Sequence, residues 1–152
     1  MKVTKTSISR LHETDFSNLP FGTVFSDHML VCNYKDGKWN EAKILPYGPI
    51  PMPPATQVLH YGQSVFEGMK AFKNNLNEIL LFRKEENFKR LNQSANRLSI
   101  PLIDESVFMN GLDELLKIDS EWCKADEGYS LYIRPFIFAS SECVKASASE
   151  EY

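Results

Sequence analysis

Three cysteines, Cys32, Cys123 and Cys143, are all that this 152-residue chain contains. The number is odd, no two are spaced as CxxC, and none has metal-type spacing, so a disulfide framework is excluded and reduced thiols are expected. The three histidines, His12, His28 and His60, are equally scattered and form no ligand cluster. No apolar run approaches the ~18 residues a membrane span requires. The amino terminus, MKVTKTSISRLHETDF, lacks the apolar centre of a signal peptide, which makes a cytoplasmic location the default expectation. No basic stripe is present, and the net charge of −3 gives no electrostatic footprint for nucleic acid. Repeats and low-complexity segments are absent. What remains is 43% hydrophobic and 24% charged residues, enough for one domain with a core.

Local patterns then divide the chain. Residues 1–19 are polar and read as a mobile arm or a peripheral helix, ahead of a domain over 20–152. A strand is expected over 23–34, an Asp-Gly turn in KDGK (35–38), and a returning strand over 39–47. Five prolines between Pro46 and Pro54 make 46–57 an extended, semi-rigid loop, since each removes a donor and fixes φ. Around Gly62–Phe66 a short turn or helical segment leads into the strand GMKAFK, and after the turn NNLN the run EILLFR (78–83) pairs back. A helix is expected over 84–98, with Phe88, Leu91, Ala95 and Leu98 on one face and Glu85 and Glu86 in the first turn. A second helix follows over 104–124, with Asp104 as N-cap and a stripe of Phe108, Leu112, Leu115 and Leu116. Strands joined by short turns, with two helices inserted, specify an α+β class with an antiparallel sheet.

The last expected strand, 129–138, contains SLYIRPFIF, with an arginine inside an apolar run. With a period of two, Leu131, Ile133 and Pro135 point one way and Tyr132 and Arg134 the other. An unpaired buried charge is costly and arginine cannot become neutral. Three readings stand open from this segment: Arg134 pairs with a core carboxylate, lies at a strand end near water, or faces a site for an acidic ligand.

Four motifs occur in order: FGTVFSDHM (21–29), LHYGQSVFEGMKAF (59–72), FKRLNQSANRLSIP (88–101) and SLYIRP (130–135). Together they resemble the amino-terminal small domain of the branched-chain amino-acid aminotransferases, pyridoxal-phosphate enzymes of fold-type IV. FEGMKAF alone marks only the wider class, which includes D-amino-acid aminotransferases and aminodeoxychorismate lyases; FGTVFSDHM and LYIRP are more typical of the branched-chain group.

The resemblance implies that Arg90 clamps the phosphate of pyridoxal 5'-phosphate, a bidentate role suited to a guanidinium. It implies substrate contacts for Phe25 and Phe66 as aromatic walls, for Tyr61 at the pocket edge, and for Tyr132 and Arg134 as the pair that orders the substrate's carboxylate, directly or through the Tyr61 hydroxyl. Gly68 carries a close backbone approach or a positive φ, and Glu67 is structural. No catalytic lysine is expected within residues 1–152: the family places it in a carboxy-terminal domain, and neither Lys70 nor Lys73 matches its position. The resemblance also implies a homodimer, small amino-acid and 2-oxo-acid substrates, and a fragment inactive by itself. A free-standing binding module without chemistry is the alternative from another class.

Overall fold

The computed structural model describes residues 1–152, in an α+β arrangement of ten short strands and three helices. In chain order these are β1 (Lys2–Val3), β2 (His28–Val31), β3 (Tyr34–Lys35), β4 (Lys38–Trp39), β5 (Lys43–Pro46), α1 (Gln57–Tyr61), β6 (Ser64–Phe66), β7 (Met69–Lys73), β8 (Ile79–Leu81), α2 (Lys84–Arg97), α3 (Glu105–Ile118), β9 (Leu131–Ile133) and β10 (Phe136–Phe138). Short 3₁₀ turns lie at Leu11–Glu13 and Ser120–Trp122.

The long hairpin expected over 23–47 is two ladders. Asp36 and Gly37, at φ 54° and 77°, form the tight turn between β3 and β4, as the Asp-Gly pair predicts. Beyond it the regular ladder is interrupted over Cys32–Asn33 and Asn40–Ala42, where the Asn40 N–H still donates to the Asn33 carbonyl at 2.8 Å, and resumes as β2 and β5, with His28 opposite Pro46 and Val31 opposite Lys43. The 1–19 arm contains β1 and a 3₁₀ turn in place of a peripheral helix. β1 pairs in parallel with β5. The arm is tied down further on: the Thr6 N–H donates to His28 Nε2 at 2.9 Å, and Asp27 accepts from the Ser9 hydroxyl at 2.6 Å and the Arg10 N–H at 3.0 Å.

The proline-rich loop is irregular as expected, but the helical segment lies before Gly62, as α1. The stretch assigned to it, Ser64–Phe66, is a strand. α2 matches the expected helix to within a residue; Leu91 and Ala95 are buried, whereas Leu98 is 45% exposed beyond the last turn. α3 ends at Ile118, earlier than expected, and continues as the 3₁₀ turn. Asp104 occupies the N-cap with extended backbone and its carbonyl accepts from the Phe108 N–H at 3.1 Å, but its side chain makes no cap bond.

The expected strand 129–138 is divided. Leu131–Ile133 pairs with β7 and Phe136–Phe138 with β6. The register runs unbroken across the gap, Phe66 opposite Phe136 and Met69 opposite Ile133, so Glu67 and Gly68 face Pro135 and Arg134. Proline is the reason for the break. It accepts from the Glu67 N–H at 2.8 Å but has no N–H to return. Along this ribbon Val65, Met69, Ala71 and Ile137 enter one core with Leu91 and Ala95 of α2 and Phe108, Leu112 and Leu116 of α3. The opposite face carries exposed Phe66, Phe72, Tyr132 and Phe136.

Candidate functional site

The break in the ribbon is where the charged side chains gather. Glu67 shares the inward direction of Val65 and Met69 and its side chain is 7% exposed. A carboxylate so placed needs partners, and it has four donors. Arg90 Nε lies 2.9 Å from Oε2 and 3.2 Å from Oε1, and Arg90 Nη2 lies 2.7 Å from Oε1. The Gly68 N–H donates at 3.0 Å and Asn87 Nδ2 at 3.1 Å. Burial pushes the Glu67 carboxyl upward, but the Arg90 and Gly68 hydrogen bonds, the Asn87 amide and the Arg90 charge outweigh it and hold the group below its ordinary value. Asn87 and Arg90 are one turn apart on α2, which is how both reach the same carboxylate.

Arg90 is otherwise open to solvent, its side chain 64% exposed, and Nη1 makes no hydrogen bond within the chain. It lines an open groove of about 590 Å³ together with Gly68, Lys70, Arg83, Asn87 and Tyr132. Tyr132 joins this groove to the second arginine. Arg134 Nη2 donates to the Tyr132 hydroxyl at 2.9 Å, and its guanidinium lies 4.4 Å from the centroid of the Phe66 ring. Arg134 has no carboxylate partner among the ion pairs, which removes the core-pair reading. Gly68 is at this junction through close approach and not positive φ: a Cβ there would fall on the Tyr132 hydroxyl and lie 3.1 Å from its Cζ.

Thus Arg90, Tyr132, Arg134 and Phe66 come together. Of these only Arg90 and Tyr132 line the groove; Arg134 and Phe66 reach it through Tyr132, and Phe25 and Tyr61 are at neither place. Phe25 stacks on Tyr47 with centroids 4.7 Å apart, and the Tyr61 hydroxyl donates to the Val144 carbonyl at 2.6 Å. Sequence reasoning gave Glu67 only a structural role and passed over Asn87. The i, i+3 spacing of Asn87 and Arg90 was a visible signal, but nothing local linked either to a carboxylate more than a helix away. Phe21, whose ring packs edge-on to Tyr132 at 5.2 Å, was likewise unassigned.

No family model matches the chain. Among curated proteins, it is 51% identical over 137 residues to a probable branched-chain-amino-acid aminotransferase of Staphylococcus aureus (strain N315), covering 90% of this chain and 38% of that protein. It is 50% identical over 139 residues to branched-chain-amino-acid aminotransferase 2 of Bacillus subtilis (strain 168), covering 91% and 38%. The chain is homologous to the amino-terminal part of the branched-chain-amino-acid aminotransferases. It spans about 38% of the length of the curated relatives it matches. Among solved structures, the branched-chain amino acid aminotransferase from Escherichia coli superposes with a TM-score of 0.55 at 23% identity, over 79% of this chain and 38% of that one. The fold of this chain is therefore the small amino-terminal part of the fold-type IV architecture.

The groove of this chain carries donors of the kind a phosphate group takes. A phosphate needs fixed cationic donors. The groove offers the free Nη1 edge of Arg90, with Arg83 and Lys70 beside it, and room for such a group.

Proposed function

We propose that this chain is the substrate-side domain of an enzyme that transfers the amino group between leucine, isoleucine or valine and 2-oxoglutarate. Pyridoxal 5'-phosphate, when bound, supplies the electron sink for that transfer. Arg90 holds the phosphate. Arg134 and Tyr132 orient the substrate carboxylate and Phe66 gives an apolar wall; Phe25, stacked on Tyr47, and Tyr61, bonded to the Val144 carbonyl, lie outside the groove and are assigned to the substrate pocket by the family resemblance alone. The reading rests above all on Arg134: a guanidinium with no carboxylate of its own, laid on an aromatic ring and bonded to a tyrosine that also lines the Arg90 groove. A cation arranged in this way is suited to receive an anion. Burying a branched side chain against such rings is worth ~1.5–3 kcal/mol, the handle for apolar amino acids.

The surface supports association as well. A compact monomer of this mass exposes about 7,900 Å², whereas the chain exposes 9907 Å². Phe66, Phe82, Leu80 and Phe136 are each more than half exposed. We read this face as covered by the rest of the enzyme and by a second subunit, a homodimer working in the cytoplasm. No helix is long and apolar enough to cross a membrane.

The test is transamination of leucine and 2-oxoglutarate by the complete protein, with Arg90→Gln expected to weaken cofactor retention. The chain by itself is expected to be inactive. Treated with pyridoxal phosphate and borohydride, it should retain no stoichiometric label at one lysine; full labelling of a single residue, Lys70 in the groove included, would overturn the assignment of the reactive lysine to a carboxy-terminal domain.

A further inference from the structure

Three consecutive residues, Phe66, Glu67 and Gly68, each contact a different part of the site. Phe66 lies under the Arg134 guanidinium, Gly68 leaves room for the Tyr132 hydroxyl, and Glu67 holds Arg90. The third contact has a consequence for anion binding. A solvent-exposed arginine on a helix samples many rotamers, and ordering it on binding costs affinity. Here two of its nitrogens, Nε and Nη2, are already committed to a carboxylate that is itself fixed in three other ways: by its burial, by the Gly68 N–H and by Asn87. Only the remaining Nη edge is left for a ligand, and Arg90 lines the groove.

We infer that Glu67 is a positioning residue for the anion site, holding the Arg90 guanidinium in one orientation so that its free N–H edge meets the cofactor phosphate. The inference rests on the reading of Arg90 as the phosphate arginine. It carries an unusual sign. By Coulomb's law alone, a carboxylate beside an anion site repels the anion, so Glu67→Gln should strengthen phosphate binding by roughly threefold for charges ~6 Å apart in water. Preorganisation predicts the opposite: glutamine keeps one acceptor oxygen and loses the charge, its NH2 takes the place of the oxygen that accepts from Arg90 Nε and Asn87, the two-oxygen fork that orients the guanidinium is lost, and affinity falls by about tenfold, the equivalent of one charge-assisted hydrogen bond.

The experiment is a titration of the complete protein, freed of cofactor, with inorganic phosphate, followed by ¹⁵N NMR at the Arg90 Nε–H. In the wild type that proton should be protected from exchange and should shift on saturation. Glu67→Gln should lose the protection and bind phosphate about tenfold more weakly. Glu67→Asp, which keeps the charge but is one methylene shorter, should also weaken binding, by a few-fold. If Glu67→Gln does not fold, Asn87→Ala removes one of the bonds that orient Glu67 and should cost two- to threefold. Equal or tighter binding by the folded variants overturns the inference. Arg90→Lys separates it from the reading beneath it. If Arg90→Lys binds phosphate like the wild type, or the wild type shows no saturable binding, the phosphate role of Arg90 falls and the inference with it. If Arg90→Lys is impaired while Glu67→Gln binds more tightly, positioning by Glu67 alone is refuted.

Discussion

Replacing Arg134 with methionine separates a substrate-facing arginine from a structural one. The side chain makes one hydrogen bond, to the Tyr132 hydroxyl at 2.9 Å, a cation–π contact 4.4 Å from the Phe66 centroid and a longer one 5.3 Å from the Tyr132 centroid, all at the surface. An exposed cation–π contact is worth ~0.5–1 kcal/mol and an exposed hydrogen bond a similar amount. Methionine recovers part of this by lying along Phe66. The expected loss of stability is thus about 1 kcal/mol, which for a chain of this length lowers Tm by ~2–4 °C. Breaking a buried ion pair would instead cost ~3–5 kcal/mol and lower Tm by ~6–20 °C. Activity should follow the reverse order. Losing a carboxylate clamp costs ~2–4 kcal/mol of transition-state binding, a roughly 30- to 1,000-fold fall in kcat/KM. The fall should be larger for glutamate, with its second carboxylate, than for leucine. Thermal unfolding of the variant and kcat/KM of the complete enzyme for both substrates decide the matter. A large Tm drop with unchanged kinetics would refute the substrate role.

Three further outcomes can be checked on the chain itself. Leu91→Ala, at a position 2% exposed, should cost ~2–5 kcal/mol in denaturant unfolding, whereas Leu98→Ala, 45% exposed just past the end of the same helix, should cost under about 1; equal losses would place the core elsewhere. Gly68→Ala should cost about 1 kcal/mol by displacing the Tyr132 hydroxyl, and Tyr132→Phe in the same chain should relieve part of it; strict additivity would show that the two do not meet. Acid should destabilise the fold: Glu67, and Asp27 with its Ser9, Arg10 and Trp122 donors, are held below their ordinary values of about 4.5 and 3.8 despite burial, so their contribution is complete above those values and lost as pH falls through the depressed folded ones. Urea midpoints at pH 6 and pH 3 test this, and an unchanged midpoint, or a Glu67→Gln variant as acid-sensitive as the wild type, counts against it.

The elements whose signals are local were legible in the sequence. The apolar spacing of α2, the stripe of α3, the Asp36-Gly37 turn and the β7–β8 pairing each depend on neighbours a few residues apart, where helix and turn periodicities act. The motif order was enough to indicate the family. Legibility ended where the outcome depended on which distant segment came alongside. Ser64–Phe66 is a strand because β10 lies beside it, and 129–138 is two strands because Pro135 cannot return the hydrogen bond of Glu67. The site shows the same division. Arg90 and Arg134 could be singled out by motif, but the sequence left open whether Arg134 had a carboxylate and offered only a structural role for Glu67. Only the fold places Glu67 on the core face within reach of α2, where a buried charge must find its counterion, and leaves Arg134 on the other face without one.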